Sequence, residues 1–201
     1  METIEKYSTR LKEHRLLYNQ FQLLLELSVS KNIKGQELIN YCNANNFFNT
    51  RTRKRNRILS SLLSNRVGAF DNELTTIYQD TDSHTRRIMT LYAIIKTDRL
   101  FREFMYEKTR AHILDKNPRI SNVELEEYLD FKALQSKEIS EWKETTKIEI
   151  YKAFRNVLVD SGMAKRMGHS IHLEQPTVDK LFIDYLKYNN EQFFLDCLRG
   201  G

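Results

Sequence analysis

Two prolines and six glycines in 201 residues, two of those glycines at the extreme C-terminus, leave this chain almost without turn punctuation. A backbone so rarely interrupted is committed to long helices, and the predicted class is mostly α. The length suits one domain or two small ones, and a hydrophobic share of 40% is enough for a real core.

Taken in order, Met1–Thr9 reads as a polar lead-in, and Leu16, Leu17, Phe21, Leu24, Leu25 and Val29 predict a core helix from about Leu11 to Ser30. Gly35 opens a shorter helix, Gln36–Ala44, with Leu38, Ile39 and Cys42 on one face. After a bend at Gly68, Leu74, Ile77 and Tyr78 mark another short helix, closed by a turn at residues 80–82, and Ser83 can cap the next. Ile88, Leu91, Tyr92 and Ile95, then Leu100, Phe101, Phe104 and Met105, form two apolar runs joined at Lys96-Thr97-Asp98. Thr97 or Asp98 caps the second, and this pair is the expected centre of the fold.

Asn49 to Arg66 is a different kind of stretch, with six Arg or Lys and no acid. With Thr50 as N-cap and Ile58, Leu59, Leu62, Leu63 and Val67 at helical spacing, it predicts an amphipathic helix whose first turns carry Arg51, Arg53, Lys54, Arg55 and Arg57. Cations at a helix N-terminus oppose the macrodipole by roughly 0.3–1 kcal/mol each and repel one another, unless an anion meets them. A phosphate backbone is such an anion; a solvated basic face with no partner is the alternative. The net charge of +5 favours an acidic partner, and the basic character is local, since residues 121–145 hold seven acids against Lys132, Lys137 and Lys143.

Asn117-Pro118 is the first strong break, and it suggests a boundary between a helical N-terminal subdomain, 1–117, and a C-terminal subdomain, 118–201. Ser121-x-x-Glu124 is a capping box opening a helix with Val123, Leu125, Tyr128, Leu129 and Leu134 inward. A helix from Ser140 to Ser161 follows, with Trp142, Ile148, Tyr151, Phe154, Val157 and Leu158 near one stripe and Gly162 as its stop. Residues 163–165 and 170–173 read as short strands about a Met167-Gly168 turn, and Pro176 suits N1 of a closing helix through Asn189, before a short Phe193-Phe194-Leu195 segment. Helix, helix, hairpin is the order of a winged helix, so the expected architecture is an N-terminal helical bundle plus a C-terminal winged-helix-like subdomain with a small β-hairpin. In such a unit the second helix enters the major groove and the hairpin touches the adjoining backbone. Lys147, Lys152 and Arg155 on that helix, with Lys165, Arg166 and His169 in the hairpin, are the candidate DNA contacts, although the same order of elements also serves to bind protein, and Glu141, Glu144 and Glu149 on the same helix weaken the groove reading. No clear base-reading set stands out beyond Arg155 and Asn156.

Enzymatic readings find little support. His169-x-x-His172 has no third ligand near it, and Asp130-Phe131-Lys132 resembles a nuclease D-x-K but lacks the strand that would hold a metal. Phosphate-binding glycine loops and the nucleophile-elbow motif are absent, so neither a metal nor a cofactor is expected. The tyrosines fall at helical spacing among aliphatics, as core or interface residues do. Cys42 and Cys197 stand apart, as two small buried thiols of a reducing cytosol. The N-terminus is polar and the most apolar runs fall far short of a membrane span, so a cytoplasmic protein with no membrane partner is expected.

Tyr7-Ser8-Thr9-Arg10-Leu11, Leu91-Tyr92 with Lys96-Thr97-Asp98-Arg99-Leu100 and Phe104, and Trp142 with Thr145 or Thr146, Leu158 and Gly162 resemble, in order and spacing, the BrxA proteins of BREX bacteriophage-exclusion systems. The resemblance covers most of the chain and implies a small, helical, non-catalytic component of a bacterial phage-defence and DNA-methylation system, thought to bind DNA and to act with other BREX proteins. It carries no catalytic residue across. Two functions follow as expectations: an accessory protein that binds double-stranded DNA, or an adaptor that docks other BREX proteins without touching DNA.

Overall fold

The computed structural model of the chain describes residues 6–13 and 15–199, so the first five residues of the expected lead-in lie outside it. The fold is mostly α with one small antiparallel sheet, as the sparse punctuation predicts. It divides into two compact units, Leu17–Thr81 and a second that takes in Met1–Leu16 with Asp82–Gly201.

The smaller unit holds α1 (Tyr18–Lys31), α2 (Gly35–Ala44), α3 (Arg53–Gly68) and α4 (Asn72–Asp80). The expected single helix from Leu11 to Ser30 does not form. Arg10–Lys12 is one 3₁₀ turn, Leu17 takes a left-handed φ of 54°, and α1 starts only after it. Leu17 is also where the chain passes from one unit to the other, so the continuous periodicity serves two cores: Leu11 and Leu16 are buried in one unit, Phe21, Leu24 and Leu25 in the other. Phe21, Phe70 and Tyr78 meet edge to face with centroids 5.3–5.7 Å apart, and α3 lays Leu59, Leu63 and Val67 against α1 and α2. At the foot of α4 the cap is Asp71, whose carboxylate accepts from Leu74 N at 2.7 Å.

The larger unit is built on α5 (Ser83–Thr97) and the helix that follows it. Asp82, not Ser83, caps α5, because its carboxylate reaches both His84 N and Thr85 N. Asp98 caps α6 (Arg99–Phe104), accepting from Phe101 N at 3.0 Å. One π turn, Met105–Thr109, then joins α6 to α7 (Arg110–Leu114). The expected centre of the fold holds, since Ile88, Leu91, Tyr92, Ile95, Leu100, Phe101, Phe104 and Met105 are all buried. Rings extend that centre outward: Phe154 lies 4.9 Å from Phe104 and 5.2 Å from Phe101, and Tyr92 lies 5.0 Å from Phe194.

The break at Pro118 falls inside this unit and does not divide it. Directly after it comes β1 (Arg119–Ser121), then α8 (Asn122–Gln135), a short α9 (Lys137–Ser140), α10 (Glu144–Ser161), β2 (Ala164–Met167) and β3 (Ser170–Leu173). β1 pairs with β3, setting Ile120 opposite Ile171, so the segment after Pro118 is sewn into the sheet in the order β1-β3-β2. The expected hairpin is present, with Ala164 opposite Leu173 and Gly168 at φ 60° in its turn. The capping box forms fully, Ser121 and Glu124 each bonding the other's backbone N–H. Val123 and Leu134, expected inward, instead face solvent. The long helix expected from Ser140 starts only at Glu144, because Ser140 ends the separate turn α9 and Lys143 is extended ahead of α10, while Gly162 ends α10 at φ 86° as expected. Pro176 lies ahead of α11 (Lys180–Tyr188), which Asp179 caps by accepting from Leu181 N, and the Phe193-Phe194-Leu195 segment lies in α12 (Gln192–Arg199). Among the described residues, no helix is long and apolar enough to cross a membrane.

Candidate nucleic-acid interface

The start of α3 is built from a turn that holds itself together. Asn46 and Asn49 take left-handed φ values of 43° and 47°, and the Asn46 side chain bonds the backbone N–H and C=O of Thr50 at 3.2 Å each. With its hydroxyl drawn into this turn, Thr50 cannot cap the helix. Thr52 does so instead, its Oγ1 accepting from Arg55 N at 3.2 Å, which leaves Arg51 just outside α3 and Arg53, Lys54, Arg55 and Arg57 in its first turns. Asn56 fixes the inner side: it is buried, donates to the Cys42 carbonyl at 2.9 Å and accepts from Phe48 N.

All five cations are exposed, and among the described residues none of them makes an ion pair. No acid occurs between Glu37 and Asp71, and residues 17–81 hold eight Lys or Arg against five Asp or Glu, a net +3 of the chain's +5. The surface therefore concentrates positive charge where the helix dipole is already positive, an arrangement suited to an anion.

The five candidates of the larger unit are differently placed. Lys147 Nζ lies 2.8 Å from Asp130 and 3.6 Å from Glu144, and the hydrogen bond to Asp130 raises its pKa above the usual lysine value. Lys165 pairs with Glu174, Arg155 donates to Asn122 Oδ1 at 3.1 Å, and Arg166 donates to Asn156 Oδ1. Lys152 alone of the five has no such partner among the described residues; it lines a cleft of about 320 Å³ with Lys12, Arg15, Glu149 and Asn156, where Lys12 lies 3.2 Å from Glu149. The exposed Glu144 and Glu149 lie among these bases, as their sequence positions on α10 foretold.

Lys12, Arg15 and Arg119 escaped sequence reasoning. Arg119 of β1, His172 of β3 and Lys165 of β2 stand abreast on the outer face of the sheet, a row invisible without the unexpected β1. Lys12 and Arg15 were hidden inside an expected helix that does not form.

Asp130-Phe131-Lys132 does not form a metal-binding constellation. Asp130 points outward to Lys147, whereas Lys132 is buried and bonds Glu103 at 2.8 Å and Glu107 at 2.7 Å. His169 lies in the exposed hairpin turn and His172 in β3, and among the described residues no three His, Cys, Asp or Glu side chains could share a metal ion.

These features define a small helical protein with one sheet, carrying an exposed cluster of cations at the head of a helix. The chain belongs to the BrxA family, whose model matches residues 5–190. A curated relative, the BREX protein BrxA of Bacillus cereus (strain H3081.97), is 22% identical over 194 residues, covering 96% of each chain. An uncharacterised protein from Magnetospirillum magneticum shares the fold in its crystal structure, with a TM-score of 0.80 and 18% identity over 98% of this chain and 100% of that one. Membership makes this protein a component of a BREX phage-defence system. Two of the motifs that carry the resemblance meet inside the larger unit, where the Arg99 guanidinium stacks 4.1 Å over the Tyr7 ring and Glu103 accepts from Arg99 Nε at 2.7 Å and from the Tyr7 hydroxyl at 3.1 Å. Those residues hold the fold.

Proposed function

We propose that this BrxA-family protein is a non-catalytic, cytoplasmic accessory component of its BREX system that binds the backbone of double-stranded DNA, principally through Arg51, Arg53, Lys54, Arg55 and Arg57. The observation that carries the reading is the five-cation cluster at the head of α3, exposed and without an acidic partner among the described residues. Such contacts position a protein on a duplex without reading its sequence.

The order α8, α9, α10, β2, β3, closed by β1, supports a winged-helix reading of the larger unit. There Lys152, with Lys12 and Arg15 beside it, is the best-placed auxiliary contact, because Lys147, Arg155, Lys165 and Arg166 are already engaged with Asp130, Asn122, Glu174 and Asn156. A mobility-shift titration with duplex DNA, single-stranded DNA and duplex RNA tests the proposal. Wild type should bind random duplexes, and Arg53→Glu with Arg57→Glu should lose that binding while keeping its fold. Equal binding by the double variant overturns the assignment to α3, and absence of binding by wild type overturns the DNA reading altogether.

A further inference from the structure

α8 has two apolar faces where the fold needs one. Leu125, Tyr128, Leu129 and Lys132 are buried and occupy the inner side. At 100° per residue, Val123, Phe131 and Leu134 fall on the opposite side, within about 80° of one another along about 16 Å of helix. They are 60%, 51% and 87% exposed. Single apolar side chains at a surface are ordinary, but three on one stripe, contributing nothing to the core, form a patch that a solvated helix does not need.

The charges around the stripe say what covers it. Glu126 and Asp130 lie along one edge and Glu127 lies within it, all exposed, and α9 and the start of α10 add Glu138, Glu141 and Glu144. Lys137, Lys143 and Lys147 offset part of this field, Lys147 pairing with Asp130 and Glu144 and Lys137 lying 3.9 Å from Glu141, but the acids outnumber them and Glu126 and Glu127 make no ion pair among the described residues. Such a surface repels a phosphate backbone, so the outer side of α8 is not a DNA face. We propose that it docks a protein partner through a helix bearing an apolar ridge flanked by Lys or Arg, the ridge packing on Val123, Phe131 and Leu134 and the flanks meeting Glu126 and Glu127. The docking surface lies in the larger unit and does not depend on the DNA reading, which rests on the smaller one.

The test titrates the full-length protein with a fluorescent helical peptide of about 18 residues, Leu at every third or fourth position and Lys or Arg on both flanks, and with its Glu-flanked counterpart. The Lys/Arg peptide should bind, the Glu peptide should not, and Phe131→Asp with Leu134→Asp should weaken binding by at least about tenfold. Because both positions are exposed, the variant should unfold at the wild-type temperature. A random duplex should not displace the peptide. The proposal is overturned if the variant binds as wild type does, if neither peptide binds, or if sedimentation shows that the stripe instead joins two copies of this chain, with assembly lost in the variant. Failure to bind DNA would leave it standing.

Discussion

Lys132→Met removes the buried cation that bridges Glu103 and Glu107. Lys132 is 3% exposed, its ammonium bonds both carboxylates, and it lies 5.5 Å from the centroid of the Tyr128 ring. Burial alone would lower its pKa, but the hydrogen bonds to the two glutamates outweigh that and raise it. Burial likewise works against the Glu103 charge, and the bonds from Lys132 and Arg99 reverse the effect and hold its pKa below the usual value. Removing one partner of a buried pair costs about 3–5 kcal/mol. Glu103 keeps Arg99, and the two glutamate side chains are 22% and 40% exposed, so water can reach them and the lower end, about 3 kcal/mol, applies. At about 2–4 °C per kcal/mol this is a fall of about 6–12 °C in Tm. A depressed carboxylate contributes stability above its unfolded pKa and loses it as pH falls through the folded one, whereas a raised lysine contributes below its unfolded pKa. The deficit is therefore full at neutral pH and narrows below the ordinary glutamate value of 4.5. Thermal unfolding followed by circular dichroism at neutral pH and at about pH 3.5 measures both effects. Adding Glu103→Gln and Glu107→Gln to Lys132→Met should recover much of the loss. A deficit under about 1 kcal/mol at neutral pH, or one unchanged in acid, would refute the reasoning.

Gly162→Ala should destabilise the larger unit by about 1–2 kcal/mol, because φ is 86° and the new Cβ would lie 3.1 Å from His84 Cε1; Gly168→Ala, at φ 60° but with open space around it, should cost less in the same urea titration. Burial pushes the Cys42 thiol up to about 11 and the Cys197 thiol up to about 12, so a thiol reagent at mildly alkaline pH should label neither until the protein unfolds. Rapid stoichiometric labelling of the native protein would contradict that. If the chain is non-catalytic, purified wild type and Asp130→Ala should both leave DNA intact in the presence of divalent metal, and cleavage lost only in the variant would count against the reading.

What the sequence made legible followed from local rules that tertiary packing left alone. The capping box at Ser121 and Glu124, the stop at Gly162, the turn at Gly168 and the α5–α6 pair needed only nearby residues. Where several oxygens competed for one helix start, the choice depended on neighbours elsewhere: Thr50 was taken by Asn46, so Thr52 capped α3, and Asp82 reached two amides and displaced Ser83. The break at Leu17 left no trace because periodicity cannot say which core a leucine enters. β1 is three residues long and has meaning only beside β3, so no pattern announced it. Val123 and Leu134 were expected inward because apolar residues on a helix ordinarily face the core; their outward position is visible only once the opposite face is seen to be full. For the candidate interface, the Arg51–Arg57 cluster was legible as a run of charge, whereas the engagement of Lys147, Arg155, Lys165 and Arg166 depended on partners distant in sequence or side-chain geometry.

The salt dependence of duplex binding tests the central claim most directly. For wild type, log K against log salt concentration should be linear with a slope of about −0.9 per phosphate neutralised, and alike for unrelated sequences. Arg53→Glu with Arg57→Glu, both exposed and outside the Leu59–Leu63 stripe, should keep the wild-type Tm and flatten the slope by about two units. An unchanged slope, with affinity equal to wild type at every salt concentration, would show that the head of α3 is only a solvated basic face.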